Sequence, residues 1–563
     1  VIDYVGPQVD GGRFPIKRAA GEMVAVVAHA FSDGHDHIRV ETLYRKQEQD
    51  EWIVRPMMYE VNDEWSASFL VTELGRYVYT VRGWVDRFAT WQSDLQKKFA
   101  AAQDVGIELR IGAGFLRDTA QRAEPAHAAK LAAWAELFET PGELDRAVEV
   151  ALGDDLTDLM QRYPDRSLAA MYPTELSVIV DRPKAVYSTW YELFPRSSIE
   201  TSRPPSADGG QNVPGPGRHG TFRDCERLLP EIARMGFDVL YLPPIHPIGQ
   251  THRKGKNNSV AAGPDDPGSP WAIGSSIGGH KAIHPELGTL DDFKRLMGKA
   301  AEHGIEIAMD LAFQCSPDHP YVTEHPEWFR WRPDGTVQFA ENPPKKYQDI
   351  LPINFESQQW PELWEELKNV VLYWIDQGVR IFRVDNPHTK PFAFWEWLIG
   401  EVRRDHPDVI FLSEAFTRPK IMQRLAKVGF NQSYTYFTWR NTKWELEQYI
   451  RELAHTKVGE YMRPNFWPNT PDILPQYLQF GGRPAFIIRL ILAATLSASY
   501  GIYGPAYELC VNEALDSKEE YLNSEKYEIK RWDWDARGNL RDVVARINRI
   551  RRENPSLQGI RNI

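Results

Sequence analysis

The stretch Gly378-Val379-Arg380-Ile381-Phe382-Arg383-Val384-Asp385-Asn386-Pro387-His388, followed by Phe411-Leu412-Ser413-Glu414, decides the reading of the fold. Each segment is a short apolar strand that delivers an acid at its C-terminal end, the end where a parallel β/α barrel carries its chemistry. The two acids lie 29 positions apart, the length of one β/α unit, so they are expected on neighbouring strands facing one mouth. Strand alternation puts Arg383 on the same face as Asp385, where a guanidinium favours the charged carboxylate. A charged Asp beside a protonatable Glu is the equipment for retaining chemistry at a sugar anomeric carbon. Acids at strand ends also occur in purely structural roles, so the pair is weighed with its surroundings.

Outward from this core, a β/α alternation runs from Pro183 to the end of the chain. Candidate strands fall at 186–194, 239–242, 306–311, 380–384, 409–413, 432–437, near Phe466 and at 499–503. Amphipathic helices at 222–235, 290–303, 360–377, 395–404, 443–453, 485–496 and 540–552 lie between most of them. That pattern predicts a catalytic (β/α)8 barrel over 183–563, with long loops after the second and third strands. The Gly/Pro-rich tract 203–220 reads as a flexible connection. Before the barrel, alternating β-branched and aromatic runs at 23–31, 38–44, 65–71 and 76–85 predict an N-terminal β-sandwich over 1–90, completed by 166–182. Helical spacing at 91–105, 126–139 and 142–152 predicts a helical insertion over 91–165. The fold class is therefore multidomain.

Composition narrows the functional classes. A net charge of −12 argues against a nucleic-acid partner, and an anionic substrate would need local Lys or Arg at its site. The 19 Trp supply a large core and sugar-stacking surfaces. Cys225, Cys315 and Cys510 are widely spaced, which suggests neither a disulfide framework nor a CxxC metal site and fits a reducing cytoplasm. No apolar run is long enough to span a bilayer, and Val1-Ile2-Asp3 does not read as a signal peptide. No Gly-rich nucleotide loop, metal-ligand spacing or calcium loop stands out, so no cofactor and no metal are expected.

The order Leu242-Pro243-Pro244-Ile245-His246-Pro247, Ile283-His284-Pro285-Glu286-Leu287-Gly288-Thr289, Asp310, Arg383-Val384-Asp385, Glu414 and Asp472 resembles the α-amylase clan of glycoside-active barrels. Three blocks narrow the resemblance: Phe313-Gln314-Cys315-Ser316-Pro317-Asp318-His319-Pro320, Asn342-Pro343-Pro344-Lys345-Lys346-Tyr347-Gln348-Asp349, and Arg383 through Pro391. They are similar to the maltosyltransferases that use α-maltose 1-phosphate to extend α-1,4-glucans, and the similarity covers almost the whole chain. Two departures from ordinary amylases point the same way. Cys315 stands where amylases have a histidine after the first barrel aspartate, and Pro471 stands where they have one before the third acid. Both histidines contact the sugar being cleaved, so simple starch hydrolysis is disfavoured, with Gln314 expected to take over some of that contact.

The resemblance implies Asp385 as nucleophile, Glu414 as general acid/base and Asp472 as transition-state stabiliser, with Arg383 beside the nucleophile. It implies a retaining transfer through a covalent β-maltosyl-enzyme, for which the two carboxyl groups stand about 5–5.5 Å apart. Asn342, Lys345 and Tyr347 match phosphate contacts, and Asn386 is close enough to reach the same oxygens. Lys254, Gln314, Asp349 and the pair Lys526-Tyr527 match residues that grip the maltosyl unit. Taken alone, Lys254 in Arg253-Lys254-Gly255-Lys256 and the pair Lys345-Lys346 read more readily as solvated loop lysines, Lys526-Tyr527 reads equally well as a surface pair in a charged loop, and His388 as an acceptor-side contact or a structural histidine. A homodimer joined through the N-terminal sandwich and its helices is implied. The chain stops soon after the eighth barrel helix, at 556–563, so the family's C-terminal β-domain is expected to be largely absent. Two other readings stay open: a hydrolase or transglycosidase of the same clan, and a non-catalytic glucan-binding scaffold. Against the scaffold stands the retention of Arg383, Asp385, Glu414 and Asp472 together.

Overall fold

The computed structural model describes residues 1–199, 218–343, 345–516 and 518–561, except for the side chains of Asn342 and Lys345. The part of the Gly/Pro-rich tract from 203 to 217 therefore lies outside the described residues. The chain divides into two compact units, Val1–Val180 and Asp181–Ile563.

In the first unit, two antiparallel sheets form because their strands alternate buried and exposed side chains. Met23–Ala30 buries Val24, Val26, Ala28 and Ala30 while Met23 and Ala25 face outward. It lies between Ile2–Gly6 and Glu64–Leu70 in a four-stranded sheet. The second sheet is built around Gly75–Val85, which pairs with Ile38–Lys46 on one side and Leu176–Asp181 on the other. Tyr44 stacks on Phe69 at 4.2 Å between ring centroids, filling the core. Five helices lie between Arg87 and Arg162, around a core of their own that includes Trp91, Leu95, Leu109, Leu116, Leu131 and Phe138. The first ends at Ala100, short of the expected 105, because Ala102 turns to φ +54°. A helix at Gly106–Ala120, read as no element from the sequence, follows it.

The second unit is a barrel of eight parallel strands: β1 (Ser188–Glu192), β2 (Val239–Leu242), β3 (Glu306–Leu311), β4 (Ile381–Asp385), β5 (Ile410–Glu414), β6 (Gln432–Ser433), β7 (Asn465–Phe466) and β8 (Ser499–Tyr503). Their order is β6-β5-β4-β3-β2-β1-β8-β7, and a parallel bridge from Ser433 to Pro464 closes the ring. Trp190, Tyr241, Ala308, Ile381, Leu412, Tyr434 and Trp467 pack the interior. The expected strand at 432–437 is only two residues long, since Tyr436–Trp439 turns into a 3₁₀ helix. The expected helix at 222–235 is two helices, with Pro230 in the first turn of the second. The helix expected from 485 begins at Gln476 and breaks at Gly482 (φ +57°), just before Pro484.

The loops at the C-terminal ends of the strands are held by short pairings. Gln314–Cys315 pairs with Leu351–Pro352, and Ala340–Asn342 with Lys345–Tyr347. Among the described residues, no helix is long and apolar enough to cross a membrane.

Candidate active site

Adjacent strands with one register deliver the central acids. Asp385, the last residue of β4, is the direct partner of Glu414, the last residue of β5. Arg383 on β4 is the partner of Asp310 on β3. Alternation turns Arg383 into the barrel, and its guanidinium gathers the carboxylates. Nη1 donates to Asp385 Oδ1 and to Asp310 Oδ2, each at 2.8 Å, and Nη2 lies 3.6 Å from Glu414 Oε2. Asp310 accepts a further bond from the Tyr241 hydroxyl at 2.5 Å.

Asn386 joins the two central acids. It adopts the left-handed conformation (φ 44°, ψ 51°), rare for a residue other than glycine. Its backbone N–H donates to Glu414 Oε2 at 3.2 Å, and its side-chain Nδ2 donates to Asp385 Oδ2 at 3.3 Å. Burial pushes the Glu414 carboxyl up to about 7, opposed by Arg383 and reinforced by the charges of Asp385 and Asp472. Burial likewise pushes Asp310 up to about 7, outweighing its ion pair with Arg383.

A second group forms at the mouth. Lys526 Nζ donates to Asp472 Oδ1 at 2.8 Å and lies 5.1 Å from the Trp271 ring centroid and 6.0 Å from those of Tyr347 and Tyr527. Its side chain is only 14% exposed, so the solvated-lysine reading does not hold there. Burial opposes the Lys526 charge, but Asp472 and the two tyrosines raise its pKa well above the usual lysine value. Glu525 anchors this loop to the barrel by accepting bonds from the Tyr503 hydroxyl and from Trp532 Nε1. Lys254 is also buried, at 2% exposure, and donates to Gln348 Oε1 at 2.6 Å. Burial raises the pKa of Asp349, against the nearby charges of Lys254 and Lys526. Gln314 Nε2 donates to the Trp271 carbonyl at 3.2 Å.

The structure thus brings Arg383, Asp385, Asn386 and Glu414 together. It clusters Lys526 with Asp472, Tyr347 and Tyr527, and sets Lys254 and Asp349 within each other's field. His388 lies on the turn after β4, with its Nδ1 buried and unpartnered, and burial lowers its pKa. The side chains of Asn342 and Lys345 lie outside the described residues, although their backbones face each other across a hairpin. Sequence reasoning gave no role to Lys390, Trp271 or Gln348. Lys390 and Gln348 are each one more residue of a matching block, and Trp271 sits in a loop without regular spacing.

Among the described residues, two clusters have donor atoms close enough to hold a metal: His280, Cys315 and His319, and His219, His284 and Glu286. In the first, the ring nitrogens are already engaged. His280 Nε2 donates to the Ala312 carbonyl, its Nδ1 accepts from His319 Nε2 at 3.0 Å, and His319 Nδ1 accepts from the Tyr321 N–H. Burial holds both rings neutral, at about 4 for His280 and about 2 for His319.

Residues 1–182 match the family description "Alpha-1,4-glucan:maltose-1-phosphate maltosyltransferase, domain N/S", and residues 194–365 match "Alpha amylase, catalytic domain". A protein from Chlorobaculum tepidum named alpha-1,4-glucan:maltose-1-phosphate maltosyltransferase is 58% identical over all of this chain and 82% of its own length. A protein of the same name from Methylacidiphilum infernorum is 53% identical, again over 100% of this chain and 82% of its own length. Among solved structures, an alpha-amylase from Lactobacillus plantarum aligns with a TM-score of 0.51 at 22% identity, over 67% of this chain and 83% of its own. That likeness bears on the barrel fold alone. The chain belongs to the α-1,4-glucan:maltose-1-phosphate maltosyltransferases, glycosyltransferases of the α-amylase family.

Proposed function

We propose that the protein moves a maltosyl unit from α-maltose 1-phosphate to the non-reducing end of an α-1,4-glucan, with retention, by double displacement. The observation that carries this reading is the convergence of Asp385 and Glu414, register partners on neighbouring strands, on the single guanidinium of Arg383. Asp385 is the nucleophile that attacks C1 and displaces phosphate, forming a β-linked maltosyl-enzyme. Phosphate, with a second pKa near about 6, leaves with little help from an acid. A sugar hydroxyl is a far poorer nucleophile and needs a base. Glu414, poised at about 7, removes the proton from the acceptor 4-hydroxyl as that oxygen attacks C1, and the second inversion restores the α configuration. Asp472, steered by Lys526, holds sugar hydroxyls through the oxocarbenium-like transition state.

Lys254, Gln314, Asp349 and Tyr527 hold the maltosyl unit. Asn342, Lys345, Tyr347 and Asn386 receive the phosphate, supplying the charge-assisted donors a dianion requires. His388 faces the acceptor side. The protein works in the cytoplasm as a homodimer; exposed apolar side chains on the sandwich such as Met58 and Tyr59 support the dimer.

The deciding experiment is incubation with maltose 1-phosphate and maltotetraose. Phosphate released in equal amount to chains lengthened by two glucose units is expected. Free maltose as the sole sugar product would make the protein a hydrolase, and tight glucan binding without turnover would make it a scaffold.

A further inference from the structure

The turn after β4 holds a buried cation that the mechanism above does not use. Lys390 is 8% exposed, and its Nζ lies 3.4 Å from the Asp385 carbonyl and 3.3 Å from the Asn386 carbonyl. It makes no ion pair with a carboxylate among the described residues. A buried ammonium bonded only to backbone oxygen is unfavourable unless the surrounding structure compensates it. The compensation here is the field of nearby acids: the charges of Asp385, Glu414 and Asp310 act on it against burial and against Arg383. The same turn contains the strained backbone of Asn386. The Asn386 carbonyl also accepts from Thr389 N at 3.1 Å and from Thr389 Oγ1 at 2.8 Å, so three donors fix one peptide group. Asparagine tolerates the left-handed region better than most residues, and these donors hold it in that one conformation.

That conformation has a chemical consequence. It aims the Asn386 N–H at Glu414 and its amide at Asp385 from one residue. We propose that Lys390 is a positioning residue for maltosyl transfer: its ammonium clamps the Asp385 and Asn386 carbonyls, keeps the left-handed turn, and so holds both carboxylates where they meet one anomeric carbon. The inference rests on the roles proposed above for Asp385 and Glu414. Lys390 itself touches neither reacting atom, and acts through the turn and through its charge behind the site.

Glu414 is faced by Arg383 and Asp385 from β4, by Lys390 from the turn, by Tyr434 just after β6 and by Asp472 from the loop after β7. Removing the Lys390 charge leaves the acids of that set with less compensation, so the Glu414 proton is held to higher pH.

The test compares Lys390→Met, which removes charge and donor, with Lys390→Arg, which keeps both, and Lys390→Gln, which keeps a donor without charge. Each is first checked for an intact melting transition. For Lys390→Met, transfer kcat is expected to fall roughly 10–100-fold with KM for maltose 1-phosphate changed by less than about threefold, the signature of displaced reacting groups. The acidic limb of the transfer profile should move up by about one pH unit. Without any substrate, amide hydrogen exchange at 385–390 should accelerate. Lys390→Arg should recover most of the rate, and Lys390→Gln should slow exchange without restoring the limb. A folded Lys390→Met with wild-type exchange and a wild-type limb overturns the proposal. Should Lys390→Met not fold, Lys390→Gln decides by the same limb: an unmoved limb overturns the proposal and a raised one supports it. Wild-type protein that releases no phosphate from the donor would sink the reading of the site instead, a separate result visible before any variant is made.

Discussion

Replacing Glu414 by glutamine removes a charge that the folded protein holds under protest. The carboxyl is only 14% exposed and its oxygen Oε2 faces both the Asn386 N–H and Arg383. A glutamine carbonyl can occupy that oxygen's place and accept from both donors, while the charge repelled by Asp385 and Asp472 disappears. At 1.36 kcal/mol per pH unit, raising the carboxyl from 4.5 to about 7 makes its ionised form about 3 kcal/mol less stable in the folded chain than in the unfolded one. Below about pH 4 the group is protonated in both states, and the two proteins differ only by acid against amide. As pH rises from about 4.5 to 7, the unfolded chain ionises first while the folded chain keeps its proton, so the wild type steadily loses stability relative to the variant. Above about pH 7 the gap stops growing, and glutamine is expected to be the more stable by roughly 1–3 kcal/mol. Urea denaturation followed by tryptophan fluorescence at a series of pH values measures it. A stability difference that is flat between about pH 4 and 8, or that favours the wild type more as pH rises, refutes the account of Glu414 as a carboxyl strained by burial.

Other expectations concern function and packing. Glu414→Ala should give one equivalent of phosphate per site from maltose 1-phosphate and then stall, since loss of a general base slows the second step by about 10²–10⁴-fold; intact mass should show one added maltosyl unit, and an adduct-free variant with unchanged turnover would refute the role. Lys526→Met strips Asp472 of a charge-assisted donor worth about 1.5–3 kcal/mol and should lower kcat/KM for the donor about 10–100-fold, read by phosphate release. Gly504→Ala puts a methyl into the Tyr191 ring and should destabilise the barrel by about 1–3 kcal/mol in urea denaturation, with Km little changed for the molecules that remain folded.

The two central acids were legible because their signal is local. Each ends its own apolar strand, and the spacing between them is that of one β/α unit, so neighbouring placement followed without knowing any other contact. The helix at Gly106–Ala120 was hidden for an equally local reason: Gly112 and Gly114 interrupt its apolar pattern and read as loop. Only the packing explains Gly112, where a Cβ would collide with the ring of Trp91. The burial of Lys526 could not be read from its neighbours, because Ser524-Glu525-Lys526 is a polar run that any solvated loop could carry. Its burial follows from Glu525 bonding Tyr503, 22 positions away on β8, and Trp532 further along the loop. Lys390 is the same case in reverse, since its partners are backbone carbonyls and leave no trace in side-chain chemistry.

For an acidic protein, the phosphate-ester donor proposed above poses a local problem of charge, and the arrangement of buried cations bears on it. Asp310, Asp385 and Glu414 gather on Arg383, and Asp349 and Asp472 lie in the field of Lys526, an acidic set that by itself would repel a dianion. Arg383 and Lys390 offset the inner acids, and Lys254 and Lys526 offset the outer ones, all four with most of their surface withdrawn from water. Withdrawal matters because charges in water are screened within about 8–10 Å, whereas buried ones are screened much less. Protonation completes the balance: Asp310 and Glu414 are both pushed up to about 7, so near neutrality the inner group sheds part of its negative charge without losing any side chain. In the proposed transfer, the requirement reverses once phosphate departs and an acceptor hydroxyl takes its place, because a base is then needed where a proton was tolerable before. A carboxyl poised at about 7 can serve both stages, and that poise is set by burial acting against one shared guanidinium.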